Sequence, residues 1–293
     1  MNILEIFDTY RPSIESAIEK SLDEFGDPKG TLRLPVEYAL KSGGKRIRPL
    51  LVCMFAQSLG NGCDVLDSAL AVEFAHTSTL IADDLPCMDN DDERRGRPTV
   101  HKVFGEATAL LASYALIPAA YAHFRINAKK LKQVGYDSQT VNLAYDIISE
   151  VTDKNIGCAG VLGGQYDDMF FSNKGKKHVQ SIMIKKTGAL FEIACVAGWL
   201  FGGGNPDYLP QVMKFSHHFG LLFQVKDDFL DFEKDRKQIG LNYVLLFGEN
   251  EALELLENSA KNCLNLLDFL SKNGLKNHSE LEALIDFMQV RFC

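Results

Sequence analysis

The sequence has no excess of basic residues. Its 293 residues include 31 lysines and arginines against 39 aspartates and glutamates, which gives a formal net charge of −8. A protein that holds nucleic acid through phosphate contacts has the opposite balance, so we expect no nucleic-acid partner. An acidic protein that binds an anionic ligand must gather its basic residues locally and recruit metal ions.

Membrane and export signals are also missing. No run of eighteen or more apolar residues is evident, so we expect no membrane span. Residues 1–8 carry no basic stretch ahead of an apolar one, so no secretory signal is expected. The seven cysteines show neither zinc-ligand nor redox spacing. Reduced thiols are typical of a cytosol-like compartment, and we therefore predict a cytoplasmic protein.

Strand-like alternation of β-branched residues is nearly absent, and helical periodicity dominates. Apolar residues recur every three to four positions in the segments 66–75, 104–126, 141–151 and 209–225. Glycine, proline and asparagine clusters separate such segments, and no low-complexity tract or short repeat occurs. Length alone would allow two domains, but no boundary is marked. The sequence predicts an all-α fold of roughly ten or more helices in one domain, residues 1–293.

Two clusters of aspartates carry the main chemical signal. The first contains Asp83, Asp84 and Asp89, and the second contains Asp227, Asp228 and Asp231. Carboxylates this dense repel one another unless a cation neutralises them. Hard oxygen ligands suit Mg²⁺, which usually binds one or two carboxylates together with substrate phosphates. The two clusters therefore predict a Mg²⁺–diphosphate site.

The helical pattern indicates where these carboxylates lie. His76 and Asp83 share one helix face, and Pro86 ends this helix, so Asp83 would sit at a C-terminus whose dipole favours a bound cation. Gln224 begins a stripe at i, i+3, i+4 and i+7 that contains the second cluster. A solvated acidic surface is the alternative for each cluster alone. The apolar run 219–223 before the second cluster favours an interior cavity.

Basic side chains that could hold the anion occur in short segments. Lys45 and Arg48 follow two glycines in the segment 43–49, a pattern that lets a helix start approach a phosphate. Alone this segment is a weak signal, since basic helix starts are often only solvated surface, and Lys186 is likewise weak alone. Gln165 follows two glycines that are equally typical of a helix–helix contact.

From about residue 36 to residue 231, these motifs resemble, in order, those of the trans-isoprenyl diphosphate synthase family, which includes farnesyl and geranylgeranyl diphosphate synthases. The four residues 85–88 within the first motif match the bacterial and plant-type short-chain branch. The resemblance implies an all-α fold around a deep central cavity, a homodimer and three Mg²⁺ ions with substrate bound. It also implies head-to-tail transfer of an allylic prenyl group to isopentenyl diphosphate, without a protein nucleophile.

The resemblance implies a role for each matching residue. Mg²⁺ would be bound by Asp83, Asp89 and Asp227, with Asp84, Asp228 and Asp231 in support. The allylic diphosphate would be held by Arg94, Lys186, Thr187 and Gln224. Isopentenyl diphosphate would be held by Lys45, Arg48, His76 and Arg95. Gln165 would support the site.

The segment after Asp231 departs from the family pattern. It is shorter than usual, and it lacks the expected lysine near Leu241 and the proline after Tyr243. Lys234 or Lys237 could substitute for that lysine. The departure leaves a weakly active regulatory subunit of a heteromeric synthase as an alternative to an active enzyme. A terpene cyclase is a third alternative, but it would not need the set implied for isopentenyl diphosphate.

Product length is predicted from the residues before the first aspartate cluster. In farnesyl-producing members of this branch an aromatic commonly stands five residues before the first aspartate, and here that residue is Ser78, followed by Thr79. Both side chains are small, so we expect room for a further five-carbon unit and a geranylgeranyl diphosphate product. Phe55 or Phe104 could close the same space, which leaves farnesyl diphosphate as the alternative.

Overall fold

Helices account for nearly all regular structure in the computed structural model, which describes residues 3–30, 32–170, 175–236 and 241–289. The α-helices are α1 (Ile3–Ser21), α2 (Arg33–Leu40), α3 (Ile47–Leu59), α4 (Leu66–Asp83), α5 (Val100–Phe104), α6 (Glu106–Gln133), α7 (Ser138–Ile156), α8 (Val161–Met169), α9 (Lys176–Met183), α10 (Ala189–Phe201), α11 (Leu209–Leu230), α12 (Phe232–Asp235), α13 (Tyr243–Phe247), α14 (Glu249–Ser271) and α15 (Ser279–Gln289).

Three short helical turns and one pair of strands complete the described elements. The 3₁₀ turns are Leu22–Phe25 and Pro206–Tyr208, and a π-helical turn covers Ile184–Gly188. Strands β1 (Glu93–Arg94) and β2 (Arg97–Pro98) pair in antiparallel register, with Glu93 opposite Pro98. This hairpin follows the first aspartate cluster directly.

Helix α10 lies at the centre of the bundle. All 13 of its residues are buried, and it contacts α3, α4, α7 and α11. A helix that is apolar on nearly every side is stable only when other elements surround it. Gly198 permits the crossing with α3, because a Cβ atom there would lie 2.6 Å from the carbonyl oxygen of Val52. Buried apolar side chains from Ile3 to Met288 form one continuous core.

The structure confirms the predicted all-α class. The predicted helical segments 66–75, 141–151 and 209–225 lie within α4, α7 and α11. The segment 104–126 is divided between α5 and α6, because Gly105 has a φ of 85° that separates the two helices. The connections also contain short helices, such as α5, α12 and α13, that periodicity over a long window does not detect.

Helix α6 is long and apolar enough to cross a membrane, judged by length and composition alone, and it is the one such helix in the described residues. Within its most apolar window 39% is buried. Its buried face packs along α4, which accounts for its place in the bundle. On the opposite face Leu111 and Tyr114 are exposed, by 53% and 61%.

Candidate active site

The first aspartate cluster forms where α4 ends and the chain turns back on itself. Asp83 is the last residue of α4, as the following proline predicts. The chain then returns, so that the amide of Asp89 donates to the carbonyl oxygen of Asp83 at 2.9 Å. Burial, and to a smaller extent Asp89, raises the pKa of Asp83 to about 7, although Lys186 opposes the shift. The Nε2 of Gln165 donates to the carboxylate of Asp89 at 3.3 Å.

Asp84 and Arg94 are bound to each other. The Nε of Arg94 donates to Asp84 Oδ1 at 2.6 Å, and the same guanidinium lies 3.4 Å from Asp91. Asp84 is 3% exposed, and burial raises its pKa despite Arg94. The pair joins the β-hairpin to the end of α4. The supporting metal role of Asp84 and the diphosphate role of Arg94 stay predictions.

The three aspartates of the second cluster have different surroundings. Asp231 lies one residue beyond the end of α11 and is exposed. Asp228 is buried, and its two carboxylate oxygens accept from Gln224 Nε2 at 2.8 Å and from the Tyr243 amide at 2.7 Å. Burial raises the pKa of Asp228 to about 7 and that of Asp227 to about 6. Lys45 and Arg48 of the 43–49 segment lower the pKa of Asp227 and so oppose part of the effect of burial.

The π-helical turn Ile184–Gly188 joins the two clusters. Thr187 Oγ1 donates to Gln224 Oε1 at 2.5 Å, one helical turn before the second cluster. Lys186 Nζ donates to Asp168 of α8 at 2.6 Å. Asp168, with smaller contributions from the first cluster, raises the pKa of Lys186 although burial opposes its charge. Single π-helical turns inside α-helices often occur at functional sites.

Two glycines allow neighbouring helices to approach this turn. A Cβ atom on Gly164 of α8 would lie 2.5 Å from the backbone nitrogen of Lys186. A Cβ atom on Gly220 of α11 would lie 2.7 Å from the Cα of Gly188. The Gly164 position is therefore a helix-contact glycine, one of the two alternatives that the sequence left open, and the contact brings Gln165 beside the first cluster.

The basic residues predicted to bind isopentenyl diphosphate line a cavity of about 420 Å³. Its lining consists of Gly44, Lys45, Arg46, Ile47, Arg48, Glu73, His76, Arg95, Thr187, Phe223, Gln224 and Asp227. Arg48 Nη1 lies 3.2 Å from His76 Nε2, and its guanidinium lies 4.6 Å from the ring centroid of Phe191. Arg95 donates to the carbonyl oxygen of Gly43. The structure thus brings the four predicted residues together.

Three buried polar atoms of the site have no hydrogen-bond partner among the described residues. They are Arg48 Nε, His76 Nδ1 and Gln165 Oε1. Burial and the neighbouring Arg48 lower the pKa of His76 well below its usual value, so the ring is neutral. A guanidinium can only donate, so we assign His76 Nε2 as the acceptor and Nδ1 as the protonated nitrogen. Each unpaired buried group costs about 1–3 kcal/mol. An anionic ligand would offset this cost for the two donors, Arg48 Nε and His76 Nδ1, but not for the acceptor Gln165 Oε1.

The carboxylates fit Mg²⁺ that is shared with a ligand. Among the described residues no three histidine, cysteine or acidic side chains converge on one point where they could hold a metal ion. Mg²⁺ does not need such a cage, because it commonly takes one or two carboxylates and completes its shell with water and phosphate oxygens. Asp83, Asp89 and Asp227 are all-oxygen donors of this kind, and they could hold Mg²⁺ together with a diphosphate.

The residues predicted to form the cavity floor have specific contacts. Ser78 Oγ donates to the Ser113 carbonyl oxygen of α6 at 2.9 Å, so its hydroxyl is directed at α6. Thr79 Oγ1 donates to the His76 carbonyl oxygen at 2.8 Å. The two aromatic residues that could close the same space have other ring partners. Phe55 packs edge-on against Phe215 and Phe104 packs against Tyr38.

The short segment after Asp231 is tied back to α11. Asn242 is fully buried, and its Nδ2 donates to the Asp228 carbonyl oxygen at 2.8 Å and to Asp235 at 2.9 Å. Of the two lysines predicted to substitute for the family lysine, Lys237 and the side chain of Lys234 lie outside the described residues. Their substitution therefore stays a prediction.

Sequence reasoning missed several residues that shape the site. Asp168 holds Lys186, and its spacing of three residues from Gln165 on α8 is a usable signal. Arg46 pairs with Glu73, which lies three residues before His76 on α4. Asn242 ties the segment after Asp231 to α11, and no local pattern in the sequence indicates this contact. Asn242 and its partner Asp228 are separated in the chain and come together only in the folded protein.

A larger cavity of about 550 Å³ lies elsewhere, along α1 and the start of α4. It contains the buried His123, whose Nδ1 lies 2.8 Å from Asp67 Oδ1, and Lys130 pairs with the same carboxylate. None of the predicted site residues lines it. Size alone therefore does not identify the active site, whereas the convergent charges and unpaired donors of the smaller cavity do.

Comparison with known proteins assigns the family. The polyprenyl synthetase family model matches residues 29–244. The chain is 39% identical over 241 residues to a chloroplastic geranylgeranyl pyrophosphate synthase of Catharanthus roseus, a match that covers 80% of this chain and 65% of that protein. It is 34% identical over 306 residues to the heterodimeric geranylgeranyl pyrophosphate synthase large subunit 2 of Arabidopsis thaliana. This match covers 97% of this chain and 77% of that protein.

Solved structures agree with this assignment. A geranyltransferase from Legionella pneumophila superposes with a TM-score of 0.81 at 28% identity, covering 98% of this chain and 96% of that one. An FPP/GFPP synthase from Zymomonas mobilis superposes with a TM-score of 0.82 at 27% identity, covering 98% of this chain and 99% of that one. The chain belongs to the polyprenyl synthetase family. The predictions of the trans-isoprenyl diphosphate synthase family and of a prenyltransferase are confirmed.

Proposed function

We propose that the protein joins isopentenyl diphosphate to an allylic diphosphate and that geranylgeranyl diphosphate is its main product. The observation that carries the proposal is one cavity lined by two chemically different sets of residues. Lys45, Arg48, His76 and Arg95 converge there, with buried donors that no described residue satisfies. The same cavity is lined by Thr187, Gln224 and Asp227, which we assign to the allylic diphosphate and to Mg²⁺. A cationic set without carboxylates beside a set that includes a metal-binding carboxylate suits two diphosphate substrates in adjacent positions.

The roles of the chain's own residues follow from this arrangement. The allylic diphosphate would be held by Arg94, Lys186, Thr187 and Gln224. Mg²⁺, three ions in our proposal, would be held by Asp83, Asp89 and Asp227 and would supply positive charge that offsets the charge of the leaving diphosphate. Cleavage of the allylic carbon–oxygen bond leaves a carbocation, which the isopentenyl double bond attacks. The released diphosphate accepts the proton, so no protein nucleophile is needed.

The proposed product length rests on the small side chains at Ser78 and Thr79. The named functions of the plant relatives also support a twenty-carbon product. The test is incubation of the purified protein with Mg²⁺, labelled isopentenyl diphosphate and each allylic primer in turn, with product length read by chromatography. We expect twenty-carbon product with excess isopentenyl diphosphate. A product that stops at fifteen carbons would instead identify a farnesyl diphosphate synthase.

We also propose a homodimer in which the outward face of α6 is covered. Leu110, Leu111 and Tyr114 of α6 and Leu143 of α7 are exposed apolar side chains on neighbouring helices. Apolar patches of this kind are typical of interaction surfaces. Light scattering coupled to size-exclusion chromatography should give twice the chain mass, and Tyr114→Glu should shift it toward the monomer.

A regulatory subunit of a heteromeric synthase is the second candidate function. It is favoured by the short segment after Asp231, which lacks the lysine expected near Leu241. Two relatives are named as large subunits of heterodimeric enzymes. Turnover by the isolated chain separates the two functions, because a subunit that is active only in a complex would bind substrates but form little product alone.

A further inference from the structure

Arg46 stands between Lys45 and Arg48 in the sequence, yet its side chain binds other parts of the protein. Its φ of 54° places it in the left-handed region, where the described non-glycine residues are Arg46, Asn90 and Arg95. Such a conformation persists only where the surrounding structure holds it. All three residues lie in the segments that form the site, and Arg46 is held there by its side-chain contacts.

The guanidinium of Arg46 is bound by three helices. Only 1% of the side chain is exposed. Nη1 donates to Glu73 of α4 at 2.5 Å, Nε to Glu15 of α1 at 2.8 Å, and Nη2 to the Leu40 carbonyl oxygen of α2 at 2.6 Å. The planar fork of an arginine suits several such fixed directions at once. Arg46 is therefore a fixed point between the basic loop and the bundle.

Glu73 connects this fixed point to the anion-binding groups. It is 2% exposed and lies one turn before His76 on α4. His76 in turn contacts Arg48, and all of these residues line the same cavity. Two successive turns of α4 thus fasten the basic loop at two points, through Arg46 and through Arg48.

The charge of Glu73 and its position predict opposite effects of removing its carboxylate on the binding of a diphosphate. An acidic group in the wall of an anion cavity repels a diphosphate, so its removal would tighten binding if charge alone mattered. If Glu73 instead holds the loop in place, its removal would weaken binding, because Lys45 and Arg48 would no longer be presented together. The sign of the change distinguishes the two.

We infer that Arg46 and Glu73 are the positioning pair of the isopentenyl diphosphate pocket, and that their ion pair holds the segment 43–48 in the turn that presents Lys45 and Arg48. The inference rests on the proposed function, since it takes isopentenyl diphosphate as the ligand of this cavity. Both residues act through the two cations of the loop, not on the reacting atoms.

Calorimetric titration with isopentenyl diphosphate in EDTA isolates this pocket, because the carboxylate clusters attract no diphosphate without metal. Glu73→Gln keeps the size of the side chain, and Arg46→Lys keeps the charge. Each should weaken binding about tenfold, and the KM for isopentenyl diphosphate should rise by the same factor. The KM for the allylic substrate and kcat should stay within about twofold. Glu15→Gln is the matched control, because the half-exposed Glu15 contacts the same guanidinium and should change binding less than about threefold.

Unchanged or tighter binding in both Glu73→Gln and Arg46→Lys would overturn the positioning role. An equal rise of both KM values would also overturn it, because it would indicate general loss of structure. If one of these two variants fails to unfold cooperatively on heating, it is not properly folded, and the binding measured with the other variant decides whether the positioning role holds. A wild-type protein that turns over both substrates but binds no isopentenyl diphosphate in EDTA would overturn this inference and leave the proposed reaction standing. A wild-type protein without turnover would overturn the proposed function.

Discussion

Ser78 and Ser113 bind each other reciprocally across the contact between α4 and α6. Each hydroxyl donates to the main-chain carbonyl oxygen of the other residue at 2.9 Å, and the two hydroxyl oxygens lie 3.1 Å apart. Both residues are buried. Small side chains at both positions let the two helices approach closely. A larger residue at Ser78 therefore has to displace α6 or turn along α4 toward the space proposed for the growing prenyl chain.

Ser78→Phe should shift the main product from twenty to fifteen carbons, because the ring would occupy the space that the growing prenyl chain needs. It should also lower the melting temperature, since overpacking a buried helix contact costs about 1–3 kcal/mol. Ser78→Ala is the control, because it removes the hydroxyl pair without adding volume and should leave product length unchanged. Chromatography of the products checks both, and an unchanged chain length in Ser78→Phe would remove Ser78 from the floor.

Asp83→Ala and Asp227→Ala should each lower turnover by at least about 10²-fold, which is about 2.7 kcal/mol of transition-state stabilisation. The physical reason is that the charge of the leaving diphosphate would no longer be offset through Mg²⁺ at that position. Glu93→Ala is the control, since Glu93 is an exposed acidic residue of β1 near the same cluster. The measurement is the steady-state turnover rate of each variant at saturating Mg²⁺. Near-normal turnover in either aspartate variant would contradict the metal assignment.

Magnesium binding should weaken as the pH falls from about 8 to about 6. In the metal-free protein burial raises the pKa of Asp83 to about 7 and that of Asp227 to about 6. A raised carboxyl pKa stabilises the folded protein at low pH, and this contribution is lost as the pH rises through that pKa. Metal ligands must be ionised, so the apparent Mg²⁺ affinity should fall about tenfold across this range.

Thermal unfolding checks this pH dependence. The rise in melting temperature produced by Mg²⁺ with inorganic diphosphate, relative to EDTA, should be larger at pH 8 than at pH 6. In Asp83→Asn the difference between the two pH values should shrink, because one of the titrating groups is gone. A rise that is the same at both pH values in the wild-type protein would show that these carboxyl groups do not control metal binding.

The parts of the site that could be predicted from the sequence are local patterns. His76, Thr79 and Asp83 repeat at helical spacing, and all three are partly exposed in the structure, on one face of α4. The end of α4 follows in the same way from Pro86, which lies within the first cluster. Helix periodicity and terminators depend on neighbours in the chain, so a single sequence carries them. The single domain and the cytoplasmic location stay predictions.

The parts that could not be predicted depend on contacts between distant segments. Asp227 and Asp228 are adjacent and chemically identical, yet Asp228 is bound by Tyr243, which lies 15 residues further along the chain. The π-helical turn Ile184–Gly188 changes which side chains of that segment face α8 and α11, and periodicity gives no sign of it. Burial by other helices, not local spacing, therefore decides which charged residues face the cavity.

Asp168→Asn should raise the KM for the allylic substrate about tenfold and leave that for isopentenyl diphosphate nearly unchanged. Asp168 accepts from Lys186 Nζ at 2.6 Å and holds that ammonium beside the first aspartate cluster. An asparagine keeps the shape but loses the charge that fixes the lysine, so the ammonium would be free to turn away from the diphosphate.

The neighbouring ion pair provides the matched control for this last variant. Asp167 accepts from Lys185 at 2.8 Å across the same contact between α8 and the π-helical turn, but Lys185 is not among the predicted diphosphate ligands. Asp167→Asn should therefore change both KM values by less than about threefold, as is usual for a partly exposed pair. Equal effects of the two variants would mean that the pairs only hold α8 in place, and Lys186 would lose its assigned role in binding the allylic diphosphate.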